Sequence, residues 1–140
     1  MLDNLKRWTN YDLIKEYGFS REKLGEQVFH ADFYLLSHNT AIDPVLTYGN
    51  QQVLARWEVS WQELTAMRSR DTAKPVDQSA RSKLMVQVKA NNYINGYNGI
   101  RISKTGKEFQ ILDGIIWNLF LNDGSLYGQA AWFKSVQSND

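Results

Sequence analysis

The stretch DPVLTYGNQQVLARW, residues 43–57, places a short apolar run directly before an amphipathic helix. Pro44 favours an extended entry because it has no N–H to donate, and residues 45–47 are apolar or β-prone. Gly49 provides the backbone freedom for a sharp change of direction, and Asn50 is the natural N-cap of the segment that follows. The pattern predicts a strand that stops at Gly49 because a capped helix begins.

Two further helices are predicted after this one. Ser60 and Glu63 have the spacing of a capping box, and Val59 with Leu64 has that of a hydrophobic staple. Beyond a loop, residues 79–91 have helical periodicity. Their apolar face is formed by four residues: Ala80, Leu84, Met85 and Val88.

The first third of the chain also has helical patterns. Asn10 is predicted to cap a helix that ends at Gly18, and Ser20 to cap the next one. That second helix has an apolar stripe with helical spacing, made of Leu24, Val28, Ala31 and Leu35. We expect residues 1–19 to form a helical N-terminal extension and residues 20–140 to form a single domain.

After residue 91 the pattern changes to strands. In GIRIS, Ile100 and Ile102 alternate with Arg101 and Ser103, and a turn leads to the long run EFQILDGIIWNLF. The NDG turn at residues 122–124 joins that run to LYGQAAWF. Three consecutive antiparallel strands are therefore predicted.

Composition excludes several functions. Sixteen Lys and Arg against fifteen Asp and Glu leave a net charge of +1, with no basic stripe for nucleic acid. No apolar run reaches the roughly 20 residues of a membrane span, and the N-terminus lacks the apolar run of a signal peptide, so we expect a cytoplasmic protein. The absence of cysteine excludes disulfides, thiolate metal sites and cysteine nucleophiles.

The predicted order of elements resembles the PAS fold, and several motifs carry a closer likeness. These are SH (37–38), DPVLTYGNQQVL (43–54), SWQEL (60–64), SR (69–70), YINGYNGIRISKTGKEFQI (93–111), WNLF (117–120) and GQAAWF (128–133). They resemble the PAS-related MEKHLA domain family in its bacterial stand-alone form. The resemblance implies an α+β fold: a PAS-like curved antiparallel sheet with short helices on one face and a helical N-terminal lead.

The resemblance also implies a sensory or regulatory module used in signalling. The 140 residues contain no homeodomain, leucine zipper, kinase or cyclase segment, so we expect a separate signalling protein partner. We expect the module to bind a small apolar ligand or a protein partner without catalysis. The alternative is a small NTF2-like enzyme with a buried acid–base pair.

The aromatic residues either fill the core or line a small ligand cavity in the cup between sheet and helices. The predicted pocket residues are Tyr48, Trp57, Met67, Met85, Tyr97, Trp117, Asn118, Gln129 and Ala131. Within this set Asn118, Gln129 and Tyr97 would orient a ligand. One wall of the cup is predicted to contain Trp57, Met67, Met85 and Val88, and the other Ile100, Ile115, Trp117 and Ala131.

No catalytic or metal-binding constellation is present in the sequence. His30 and His38 lack further ligands at metal-site spacing, although haem ligation by His38 is an alternative. Asp43 and Asp113 are the acids expected nearest to apolar surroundings, and either is more typical of a turn or bulge than of a general base. Without cysteine, a covalent flavin adduct or a thioester chromophore is excluded, while non-covalent flavin, haem or a metabolite stays open.

A homodimer is predicted through the N-terminal helical lead. The apolar residues offered for it are Tyr11, Ile14, Leu24, Val28 and Leu35. The alternative is that these side chains fold back onto their own sheet.

Overall fold

The computed structural model describes residues 1–73, 83–84 and 86–138 of the chain. Within that part the helices are α1 (Leu2–Thr9), α2 (Leu13–Glu16), α3 (Leu24–Phe29), α4 (Gln51–Trp57), α5 (Trp61–Leu64) and α6 (residues 86–91), with 3-10 turns at Arg21–Lys23 and Ser69–Thr72. The strands are β1 (Tyr34–His38), β2 (Leu46–Gly49), β3 (Tyr93–Ile102), β4 (Glu108–Phe120), β5 (Leu126–Phe133) and β6 (Ser135–Ser138). Ala80 and Met85 of the predicted long helix lie outside the described residues.

The strands form one antiparallel sheet in the order β2-β1-β5-β4-β3. After Lys134, β6 continues the path of β5 and pairs with the first half of β4. The predicted α+β class and three-strand meander are confirmed, and β4 and β5 have the predicted bounds. β3 begins earlier than predicted, at Tyr93.

The sheet carries apolar side chains on both of its faces. The inner core, against α4, α5 and α6, consists of Leu36, Leu46, Val53, Trp57, Leu64, Val88, Tyr97, Phe109, Ile111, Ile116 and Phe133. The outer core, against the N-terminal helices, consists of Leu2, Leu5, Leu13, Val28, Phe33, Leu35, Trp117, Leu119, Ala130 and Trp132. The N-terminal lead is therefore a third layer over the face of the sheet that the cup helices leave open.

Asn50 joins these layers through a fully buried side chain. Its Oδ1 accepts from the backbone N–H of Val53, as predicted for an N-cap of α4, and also from that of Leu35 at 3.2 Å. Its Nδ2 donates to the carbonyl oxygens of Val28 at 3.2 Å and Phe33 at 2.9 Å. One amide thus satisfies backbone groups of α3, of β1 and of the segment between them, and of α4.

Gly49 precedes this cap for a reason other than the predicted one. Its φ lies outside the left-handed region, so the turn does not require glycine for backbone freedom. A Cβ at this position would lie 2.6 Å from Cδ2 of Leu64 and 2.9 Å from Cγ1 of Val53. The glycine is needed because β2 packs directly against α4 and α5.

The predicted capping box of α5 is present. Glu63 N–H donates to Oγ of Ser60 at 3.1 Å, and Ser60 N–H donates to Oε1 of Glu63 at 3.0 Å. The chain separates α4 from α5 at Glu58, which adopts a left-handed conformation with φ 60°. Two short helices follow one another as predicted.

The N-terminal prediction was wrong in two places. The second helical pattern ends at Phe29, and Leu35 lies in β1, because residues 34–38 pair with β5 along their whole length. Asn10 ends α1 in a left-handed conformation, and Asp12 caps α2 by accepting from Lys15 N–H. Gly18 has φ +66°, as expected of a residue that ends a helix.

The apolar residues offered for a dimer interface pack within the chain. Val28 and Leu35 belong to the outer core, and Tyr11, Ile14 and Leu24 pack against it half-buried. The homodimer stays a prediction.

Replacing Asn50 with alanine is expected to lower the free energy of unfolding by about 3 kcal/mol or more, because several buried backbone groups lose their partner. The matched control is Ser60→Ala, which removes an exposed cap and is expected to cost about 1 kcal/mol. Urea unfolding of the two variants measures the difference. Equal, small losses would contradict the joining role of Asn50.

Candidate functional site

A cavity of about 40 Å³ lies between the inner face of the sheet and the cup helices. Side chains from β1, β2, α4 and the long strands share its wall, among them Leu36, Leu46, Trp57, Tyr97, Arg101, Ile116, Gln129, Ala131 and Phe133. One water occupies roughly 10–15 Å³ on this measure, so the cavity has room for a few waters or a very small molecule.

Arg101 is the one charged side chain among the buried described residues, with 7% of its surface exposed. Its Nη2 donates to the Tyr97 hydroxyl at 2.5 Å and its Nη1 to the Ile100 carbonyl at 2.9 Å. The guanidinium carbon lies 5.4 Å from the centroid of the Tyr97 ring. Tyr97 therefore contacts this cation both through its hydroxyl and through its ring.

Gly99 sets the position of the Tyr97 ring. A Cβ on Gly99 would overlap the Tyr97 hydroxyl and would lie 2.5 Å from Cζ of the same ring. The phenol therefore crosses the space that a side chain at residue 99 would fill, and it reaches Arg101 two residues further along β3. The contact between Tyr97 and Arg101 is therefore formed within β3, with Gly99 between them leaving room for the ring.

Three residues that line the cavity have a buried polar atom without a hydrogen-bond partner among the described residues: Trp57 (Nε1), Trp132 (Nε1) and Gln129 (Oε1). Trp132 belongs to the outer core on the other face of the sheet, so Trp57 and Gln129 hold the two unmatched atoms on the side of the cup. The amide orientation of Gln129 is set because its Nε2 donates to Oδ1 of Asn118 at 3.1 Å. The wall thus combines one donor and one acceptor that native proteins seldom leave unmatched.

Four of the predicted pocket residues meet at this cavity: Trp57, Tyr97, Gln129 and Ala131. Four do not line it: Tyr48, Met67, Trp117 and Asn118. The ninth, Met85, lies outside the described residues. Met67 packs against the inner core, while Tyr48 packs against the outer core and makes an edge contact with the ring of Trp61.

The predicted wall of the cup was wrong for Ile100 on β3 and for Trp117 on β4. Trp117 belongs to the outer core, and its Nε1 donates to the Met1 carbonyl at 3.0 Å. Ile115 lines the cavity and also packs, partly buried, against the outer core. On β3, Arg101 is buried whereas Ile100 is 37% exposed. Both faces of the sheet are covered, so apolar alternation does not identify the face towards the cup.

Asn118 holds the sheet to α6. Its Nδ2 donates to the Val88 carbonyl at 3.1 Å and to Oδ1 of Asn92 at 3.2 Å, and its Oδ1 accepts from Gln129. The amide predicted to orient a ligand is therefore engaged in packing.

The rim of the cup is closed by polar contacts between α4, α5 and the β3–β4 turn. The Glu58 carboxylate accepts from the hydroxyls of Ser103, at 2.7 Å, and Thr105, and pairs with Lys107 at 3.2 Å. Glu63 forms an ion pair with Lys104. The hydrogen bonds from Thr105 and then Ser103 lower the pKa of Glu58 to about 2.

Asp43 and Asp113, the two acids considered as general bases, are not buried. Asp43 is half-buried and pairs with Arg70 at 3.2 Å, and Asp113 is exposed with φ 52° at a bulge of β4. Among the residues that the structure describes, no buried Asp or Glu is present.

Each histidine makes a hydrogen bond within the chain, and only that of His38 is local in sequence. His30 Nδ1 lies 3.0 Å from Oε1 of Gln51, and His38 Nδ1 lies 2.7 Å from the Asn39 carbonyl. Residues 1–73, 83–84 and 86–138 contain no cluster of three or more metal-ligating side chains. Within the same residues, no helix has the length and apolarity to cross a bilayer.

Sequence reasoning missed Arg101 as a site residue. In GIRIS, Arg101 alternates with Ile100, and Ile100 is the residue predicted to face the cup. A usable signal was the spacing of Tyr97, Gly99 and Arg101 at every second residue of a strand, which places an aromatic ring, a gap and a cation on one face.

The sequence profile of the MEKHLA domain matches residues 1–138 of the chain. The chain belongs to the MEKHLA domain family. A comparison with curated proteins finds no match. The match includes residues 1–19, and their division from a domain at residues 20–140 stays a prediction.

Two solved structures resemble this MEKHLA domain. A PAS domain from Colwellia psychrerythraea has a TM-score of 0.68 at 10% identity, covering 79% of this chain and 92% of that one. A light-oxygen-voltage domain studied with a flavin analogue has a TM-score of 0.65 at 15% identity, covering 84% of this chain and 85% of that one. At such identities the likeness shows the fold alone, and the predicted PAS-like fold is confirmed.

Replacing Gly99 with alanine is expected to cost about 1–3 kcal/mol of stability, because the added methyl group displaces the Tyr97 ring from Arg101. Gly25→Ala in α3 is the matched control, since a Cβ there meets nothing within 4 Å. The control should be neutral or stabilising by up to about 1 kcal/mol. Thermal unfolding compares the two, and equal melting temperatures would contradict this packing.

The polar contacts of Glu58 at the rim of the cup are expected to weaken in acid. The pKa of Glu58 is lowered from its ordinary 4.5 to about 2. The hydrogen bonds to its ionised carboxylate therefore stabilise the fold fully above pH 4.5, and this stabilisation is lost as the pH falls towards 2. Urea unfolding of wild type and Glu58→Gln should show a difference in stability that shrinks across this window. A difference that is independent of pH would refute the assignment.

Proposed function

We propose that this MEKHLA domain is a sensory module that binds a small ligand in the cup and signals by conformational change rather than by catalysis. The observation that carries the proposal is the cavity wall, where Arg101 and Tyr97 lie with an unmatched donor on Trp57 and an unmatched acceptor on Gln129. Buried polar groups without partners are costly, and a ligand can satisfy them.

The polar wall changes the expected ligand. An apolar molecule would leave Arg101 and the Trp57 N–H unsatisfied, so the cavity favours a ligand with oxygen or nitrogen acceptors. Its volume of about 40 Å³ is far below the roughly 300–1,000 Å³ of sites for drug-sized molecules. A flavin or haem does not fit this cavity, so we expect purified protein to lack their absorbance between about 350 and 500 nm.

Asn50 supplies a route from the cavity to the N-terminal layer. Trp57 lines the cavity at the end of α4, and Asn50 caps the start of the same helix. The same amide holds carbonyl groups of Val28 and Phe33. A ligand that shifts α4 would therefore also shift the packing of α3 against the sheet, and a separate signalling protein could read that change.

An interaction module that binds a protein partner and no ligand is the second candidate. The observation in its favour is the small volume of the same cavity, about 40 Å³, because a few water molecules are enough to fill it. Cytoplasmic localisation is part of the proposal in either form.

The experiment is a thermal-shift and NMR screen of small polar metabolites against wild type and Ala131→Leu. Ala131 packs against the inner core and lines the cavity, so the larger side chain should remove both the shift in melting temperature and the NMR response. The matched control is Ala55→Leu, which adds the same atoms at an exposed position of α4. Its response should equal that of the wild type.

A screen without any ligand would leave the interaction module as the function. A ligand whose response survives Ala131→Leu would place its binding site outside the cup.

A further inference from the structure

We infer that the occupant of the cup is a small oxyanion with the chemistry of a carboxylate, held by the guanidinium of Arg101. The inference rests on the proposed function and names its ligand class. It is drawn from three features of the described residues: an unpaired buried cation, an unmatched donor in the same wall, and the size of the space between them.

Within the part of the chain that the structure describes, Arg101 lacks the anionic partner that a buried charge requires. Among residues 1–73, 83–84 and 86–138, no carboxylate forms an ion pair with it. Its two hydrogen bonds go to neutral oxygens, on Tyr97 and on the Ile100 carbonyl. An uncompensated charge in a low-dielectric interior is strongly unfavourable, so an anion from solution would remove a cost that the fold itself leaves in place.

The guanidinium retains donors for such an anion. An arginine presents five N–H groups in a planar fork, and the two hydrogen bonds leave three of them without a partner among the described residues. A planar pair of oxygens matches this fork in a bidentate arrangement. Carboxylate, bicarbonate and nitrate share that shape and charge.

Neighbouring groups in the wall also favour an acceptor. The Tyr97 hydroxyl oxygen accepts from Arg101, which leaves its own hydrogen to donate. Trp57 is 1% exposed, and its Nε1–H has no partner among the described residues. The unmatched Oε1 of Gln129 would accept from a water bound beside the anion or from a hydroxyl group on the ligand.

The cavity volume limits the ligand to a few atoms. At about 40 Å³ it accommodates the equivalent of roughly three waters, which corresponds to an oxyanion of about four non-hydrogen atoms. Acetate, bicarbonate and nitrate meet this limit. Larger dicarboxylates would require the cup helices to move.

Acetate and acetamide test the inference directly, because they have nearly the same shape and differ in charge. Each is titrated into uniformly ¹⁵N-labelled wild-type protein at constant ionic strength maintained with sodium chloride. Acetate should shift the Trp57 indole and Arg101 side-chain signals saturably, and acetamide should not. Bicarbonate and nitrate titrations then distinguish carboxylate recognition from general oxyanion binding.

Arg101→Gln should weaken acetate binding by about 10- to 100-fold, the range expected for a lost hydrogen bond to a charged group. Tyr97→Phe retains the ring and should weaken it less. The control is Arg56→Gln, since Arg56 contacts the Phe109 ring and Ser138 rather than the cavity, and its affinity should match wild type.

Equal responses to acetate and acetamide, or unchanged acetate affinity in Arg101→Gln, would overturn the inference. If Arg101→Gln does not fold, the wild-type comparison and Tyr97→Phe give the answer. A neutral compound whose binding is removed by Ala131→Leu, without any response to oxyanions, would refute the anion and leave the proposed function standing. No response to any compound would refute both.

Discussion

The buried amide of Asn50 is the interaction on which the arrangement of the layers depends. It caps α4, accepts from the β1 backbone at Leu35, and donates to the carbonyl oxygens of Val28 and Phe33. No apolar residue of similar size can replace these hydrogen bonds, because each of the backbone groups would then be buried without a partner. The position of the cup helices and that of the N-terminal layer are therefore set by the same side chain.

The cavity contains a buried polar side chain, Arg101, whose hydrogen-bonding groups are only partly satisfied among the described residues, in contrast to those of Asn50. Most of the inner core is closely packed and apolar, yet β3 places Arg101 inside it, beside the Tyr97 ring that occupies the space left by Gly99. Stability alone does not explain a buried cation, since an apolar residue there would avoid its desolvation. A site that binds an anion does explain it, and a small cavity with unmatched polar atoms is what such a site would contain.

Local signals predicted much of this fold. The turn at Asn50, the capping box at Ser60, and the bounds of β4 and β5 all depend on residues close together in the sequence. Leu35 was assigned to a helix because its spacing fits one, whereas long-range pairing with β5 places it in a strand. The cup wall was assigned to the wrong side of β3 and β4 because the N-terminal helices cover the other face, which makes both faces apolar. Neither fact is readable from a local pattern.

Native-state hydrogen exchange at the Asn50 side chain tests the central claim most directly. If this amide joins the three layers, its Nδ2 protons and the Leu35 amide proton should exchange only by global unfolding, with the same free energy and denaturant dependence as the slowest core amides of β4. Exchange of the Asn50 protons through a local opening of much lower free energy, while β4 stays protected, would contradict the account.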